Sequence, residues 1–159
     1  MIITIRRAEA RDREALGRLG VALMRTHHEF DPLRFLAPMR GATEGYAGWL
    51  LGLARSEDGV VFVAADEDDV VHGYACATLE GISWKELRGP AGVLHDIIVD
   101  EAARRTGIAT ALVEAVLTWL REQQAPRVVL STAAPNVAAQ ALFARFGFRH
   151  TMVELTKEL

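Results

Sequence analysis

Apolar positions recur along the chain with two periods, one near 3.6 and one near 2. Ile2–Ile5 is a short β-rich run. After it, Leu16, Leu19, Leu23 and Met24 share one face of a helix that Asp12 is placed to cap. The polar, proline-bearing segment His27–Pro38 breaks that period. Thr43 is placed to cap a second helix, with Tyr46, Trp49, Leu50 and Leu53 at helical spacing. Val60–Ala65 and Val70–Leu79 read as strands joined by the turn Asp66-Glu67-Asp68-Asp69. Gly81–Gly92 is a longer loop, and Val93–Val99 is a compact β-branched strand. Gly107–Gln123 is an amphipathic helix with Ala109, Leu112, Val113, Val116, Leu117 and Leu120 on one face. Pro126 precedes a strand, Val128–Thr132. Asn136 is placed to cap a last helix bearing Ala139, Leu142, Phe143 and Phe146. Gly147 suits its left-handed stop, and Phe148–Thr156 reads as the final strand.

The element order is therefore β-α-α-β-β-β-α-β-α-β. Hairpins combined with one βαβ crossover, from Val93 to Thr132, predict an α/β (α+β) fold with a mixed, mostly antiparallel sheet and helices on both faces. Ligands of such sheets gather beyond the carboxyl ends of the strands at the crossover. A length of 159 residues suits one domain spanning 1–159.

Composition narrows the function classes. With 18 basic and 21 acidic residues the formal charge is −3, which argues against a nucleic-acid partner. Cys76 is the one cysteine, so no internal disulfide forms. The first residues lack the apolar core of a signal peptide, and no apolar run is long enough to cross a bilayer. The expectation is a cytoplasmic protein with no membrane partner. No Cys or His cluster has metal-ligand spacing. His27-His28-Glu29 is a poor metal motif, because adjacent helical residues point apart. Asp66–Asp69 reads as a solvated turn.

The most informative stretch follows the strand Val93–Val99. Asp100-Glu-Ala-Ala leads into Arg104-Arg105-Thr106-Gly107-Ile108-Ala109 and then the long helix. A helix start offers free N–H groups and the positive end of the macrodipole, which together attract an anion. Gly107 has no Cβ to keep a phosphate from the backbone, Ala109 is small for the same reason, and Arg104 and Arg105 add charge at the rim. Neither a Walker loop nor a Gly-x-Gly-x-x-Gly turn is present.

This string resembles the Arg/Gln-x-x-Gly-x-Gly/Ala signature of the GNAT superfamily of N-acetyltransferases. Val71-His72-Gly73-Tyr74 is similar to that family's third strand, Asn136-x-x-Ala139-x-x-Leu142-Phe143 to its late helix, and Gly147-Phe148 to the turn into its last strand. The resemblance implies a GNAT-like element order and acetyl-CoA as acyl donor, with direct transfer to a primary amine of a small molecule or peptide. It implies a pantetheine arm lying between the fourth and fifth strands where they splay. Ile98 and Val99 would then supply backbone groups to the arm, and the N–H groups from Arg104 to Ala109 would take the pyrophosphate. Asn136 and Phe143 would lie beside the arm.

An ammonium cannot attack a thioester, so a base must take a proton. Asp96 stands where many family members carry an acidic residue on this strand. Strand alternation turns His95 to the opposite face. Glu80 is a further candidate. Many members carry a tyrosine that protonates the departing sulfur, and Phe143 occupies that position. The tyrosines of this chain, Tyr46 and Tyr74, lie far from it in sequence. A thiol with an ordinary pKa of about 8.5 leaves tolerably without an acid.

The family builds its acceptor pocket from the first two helices and their connection. Glu29 and Asp31 are expected to attract a cationic amine, and Phe35 and Trp49 to pack on its body. Ile82 and Trp84 offer a contact for a homodimer. A non-catalytic acyl-CoA-binding module is the alternative, and amine-dependent thiol release separates the two.

Overall fold

The computed structural model describes residues 1–159 and shows five strands and four helices. In chain order they are β1 (Thr4–Arg7), α1 (Arg13–Phe30), α2 (Ala42–Arg55), β2 (Gly59–Ala65), β3 (Val71–Glu80), β4 (Ala91–Val99), α3 (Ile108–Glu122), β5 (Val128–Leu130) and α4 (Val137–Arg145). The strands lie side by side in the order β1-β2-β3-β4-β5. Every pairing is antiparallel except β4 with β5, where α3 makes the crossover that a parallel pair requires. The fold class matches the sequence expectation. No helix is long and apolar enough to cross a membrane.

Helices cover both faces, so the middle strands are apolar on both sides. β2 is buried at six of its seven positions. On one face α3 presents Ile108, Leu112, Val113, Val116, Trp119 and Leu120, and α4 adds Leu142 and Phe143, over Val60, Ala75, Ala77 and Leu94. On the other, α1 and α2 set Leu16, Leu19, Leu50 and Leu51 over Val61, Val63, Tyr74, Cys76 and Ile98. The two helices approach closely because α1 turns glycines toward α2. A Cβ on Gly17 would stand 2.7 Å from the Thr43 carbonyl oxygen, and one on Gly20 would overlap the Tyr46 ring.

Four local expectations are revised. Asp12 does precede α1, but its carboxylate makes no cap; it takes both terminal nitrogens of Arg6, at 2.8 and 2.9 Å, and the Glu9 N–H at 2.7 Å. The cap position of α2 is Gly41, at φ +80°, and Thr43 lies inside the helix. α1 runs through His27, His28 and Glu29 to Phe30, since the prolines that break the period come only at Pro32 and Pro38. Phe148–Thr156 forms no strand. β5 has only three residues to offer, and from Arg149 onward no backbone N–H finds a protein acceptor. Phe148 instead packs on Phe143 across 5.7 Å, and Glu154 pairs with Arg34.

Candidate active site

The turn between β4 and α3 has unusual backbone geometry. Arg105 and Gly107 both take left-handed conformations, at φ +61° and +87°, and Gly107 is the N-cap of α3. The Thr106 hydroxyl ties the turn down by donating to the Ala103 carbonyl at 2.6 Å, and Arg104 Nε donates back to the Val99 carbonyl at 3.3 Å. The first helical bond of the segment is Ala111 N–H to Gly107 O. From Arg105 to Thr110, therefore, no backbone N–H has a protein partner. Such a run of free donors at a helix start forms an anion-binding concavity. A Cβ built on Gly107 meets nothing within 4 Å, so the space in front of the turn is open. Ile108 is buried in the core and can contribute only its backbone; Ala109 packs partly against the same core.

β4 continues the site. Its pairing with β5 covers only Gly92–Leu94 against Val128–Leu130. Beyond Leu94 the strand has no partner on that side, so the edge leading through Ile98 and Val99 to the turn is unpaired. The side chains of Ile98 and Val99 are buried in opposite cores and leave only their backbone to a ligand.

The same strand carries a bulge. Cys76 pairs with Asp96, and its neighbour Ala77 pairs with Leu94, so His95 is an extra residue. Alternation is broken once, and His95 lies on the same face as Asp96, which corrects the expectation of opposite faces. His95 Nε2 lies 2.7 Å from the Thr78 hydroxyl and 3.9 Å from Glu80, and its ring meets Trp49 of α2 at 6.4 Å.

Asp96 sits beneath α2. Tyr46 O–H of α2 donates to its Oδ2 at 2.5 Å, and Tyr74 O–H of β3 donates to the same oxygen at 3.0 Å. Burial first, and then the Asp96 charge, push both phenols far above their ordinary range, so both stay protonated as donors. The buried Cys76 thiol is pushed up by the same two causes in the same order. Tyr46 also walls a groove of about 410 Å³ with Met24, Met39, Arg40 and the half-exposed Trp49.

A family model described as the acetyltransferase (GNAT) family matches residues 21–148. The chain belongs to the GNAT acetyltransferase family. Human N-acetyltransferase 8 is 35% identical over 96 residues, 60% of this chain and 41% of that protein. The chain thus spans about two fifths of the length of this curated relative. Among solved structures, a tetramutant of the BH1408 protein from Bacillus halodurans superposes with a TM-score of 0.81 at 21% identity, covering 98% of this chain and 99% of that one. The aminoglycoside N-acetyltransferase AAC(6')-Iy, solved with the bisubstrate analogue CoA-S-monomethyl-acetylneamine, superposes at 0.73 with 19% identity, covering 100% and 99%. At those identities the likeness concerns the fold.

Within this GNAT fold the sequence-predicted residues separate into groups. Ile98 and Val99 end β4, and Arg104–Ala109 form the turn from it into the start of α3. Asn136 caps α4, its Oδ1 accepting the Ala139 N–H at 3.1 Å. Phe143 is buried in the α3/α4 core. Glu29, Asp31 and Phe35 do not line the groove beside Tyr46, and Asp96 meets it only through the Tyr46 hydroxyl. The Asp31 carboxylate accepts the Leu33 and Arg34 N–H groups of its own turn, and Phe35 packs on His27 and beneath the Arg34 guanidinium. Glu80 stands at the exposed end of β3, 3.5 Å from Arg88. Tyr46 and Tyr74 are the functional candidates that sequence reasoning left aside. The apolar period already turned Tyr46 inward on its helix, but only the sheet register places Tyr74 and Asp96 together.

Proposed function

We propose that this chain is an acetyl-CoA-dependent N-acetyltransferase acting on primary amines. The observation that carries the reading is the unbroken run of unpaired N–H groups from Arg105 to Thr110 around an open Gly107. Those donors suit a pyrophosphate, and the unpaired edge of β4 beyond Leu94 suits an amide-bearing arm that adds as a further strand-like segment. Bound there, acetyl-CoA supplies an activated acetyl group on a thiolate leaving group.

The chain's own residues then do three things. The β4 edge holds the donor arm by its backbone and offers an N–H to the oxyanion that develops on the carbonyl. The groove walled by Met24, Met39, Tyr46 and Trp49 receives the acceptor. Asp96 takes the proton that the amine must lose, so that the nitrogen lone pair forms the new C–N bond as the C–S bond breaks. Because the groove walls are apolar, with Arg40 their charged member, they favour an amine on an apolar body over a polycation. Ile82 and Trp84, both exposed on the β3–β4 loop, suit a homodimer contact, which light scattering would test.

The test is a panel of amines offered with acetyl-CoA while free thiol is measured. Amine-dependent thiol release with N-acetyl product supports the reading. Acetyl-CoA binding with no release for any amine points to the non-catalytic module instead. In the active case Asp96→Asn should lower turnover with acetyl-CoA affinity nearly unchanged.

A further inference from the structure

The two tyrosines approach one oxygen of Asp96 and leave the other alone. Tyr46 and Tyr74 both donate to Oδ2, while Oδ1 has no hydrogen-bond partner. No side-chain polar atom in the protein is both sealed from solvent and unpartnered, so Oδ1 keeps some solvent contact, and Tyr46 stands between Asp96 and the groove that it walls. The two donors come from different elements. Tyr46 descends from α2, where its ring also walls the groove, and Tyr74 rises from β3 with its side chain fully buried. The remaining titratable neighbours are the Cys76 thiol, opposite Asp96 on β3, and His95, which the bulge brings to the same face with Thr78 and Glu80 around it.

We propose that Tyr46 and Tyr74 are positioning residues that clamp Asp96 through Oδ2 and reserve Oδ1 for the proton of the acceptor amine. The inference rests on the reading of Asp96 as the base. Its physical content is directional. The clamp fixes the rotation of the carboxylate about its own axis and leaves Oδ1 as the oxygen free to accept.

The experiment measures kcat for the parent, Tyr46→Phe, Tyr74→Phe and Asp96→Asn, with the KM for acetyl-CoA alongside. Each phenylalanine keeps the ring and deletes one donor. kcat should fall by about tenfold in each, the size expected for losing one hydrogen bond to a charged group. The KM for acetyl-CoA should stay within about twofold, since the donor loop is untouched. Tyr46 is only partly buried, so its variant carries the test if Tyr74→Phe fails to fold. If Asp96→Asn is slow while Tyr46→Phe keeps the parental kcat, the clamp is overturned and the base stands. If Asp96→Asn turns over like the parent, the base falls and the clamp with it.

Discussion

Gly20→Ala tests whether the packing of α1 on α2 sets the position of Tyr46. The added Cβ would lie 2.5 Å from Cγ and 2.8 Å from Cε1 of the Tyr46 ring, distances that real Cβ atoms essentially never show. Either the helices separate or the ring swings, and both move the phenol that donates to Asp96. Overpacking a tight contact costs roughly 1–3 kcal/mol, and replacing a helical glycine by alanine returns about 1 kcal/mol. The expected net loss is about 1 kcal/mol, which lowers Tm by about 2–4 °C for a chain of this size. Gly48→Ala is the matched control, because a Cβ there meets nothing within 4 Å, and it should gain stability. Thermal melts and transfer rates at saturating acetyl-CoA read both variants. A Gly20→Ala protein that melts above the parent and transfers at the parental rate would refute the close helix contact and the dependence of the site on it.

Two further outcomes follow from single contacts. Burial raises the Asp12 pKa, but the paired Arg6 guanidinium and the Glu9 N–H outweigh it and hold the carboxyl below its ordinary value. A depressed carboxyl stabilises the fold above its unfolded pKa of about 3.9, so acid denaturation should show a contribution that fades below about pH 4 and is missing in Asp12→Asn. Asp12 is only 4% exposed, but Arg6 keeps its pair with Asp69, so Asp12→Ala should cost about 1.5–3 kcal/mol in denaturant melts. Asn136→Ala removes the cap of α4 and should cost about 1 kcal/mol by the same measurement, with a loss below about 0.3 kcal/mol counting against the cap.

What the sequence made legible was local. The turn at Gly107, the amphipathic face of α3 and the cap at Asn136 each depend on residues within a few positions of one another, and each stands where the pattern placed it. The misplaced features depend on pairing. No periodicity within Val93–Val99 shows that His95 is an extra residue, because a bulge exists only relative to the partner strand. Likewise, Tyr46, Tyr74 and Asp96 are separated by 28 and 22 positions and meet only through the α2–sheet contact and the β3–β4 register. The final segment had strand-like residues but no ladder to join. Glu29 and Asp31 had suitable charge for an amine, yet Asp31 spends its carboxylate on its own turn.

If the backbone around Gly107 holds the pyrophosphate of acetyl-CoA, calorimetric titration of Gly107→Val will show it in the Kd. A side chain at φ +87° is strained, so apo stability should fall by roughly 1–2 kcal/mol. Separately, the new side chain would project into the open space before the unpaired N–H groups. Gly107→Ala carries the same backbone strain with less bulk and separates the two effects. The expected result is a folded Gly107→Val protein whose Kd for acetyl-CoA is at least about tenfold weaker than the parent's, a loss of about 1.4 kcal/mol, with Gly107→Ala in between. A folded Gly107→Val protein that binds acetyl-CoA with the parental Kd would contradict it.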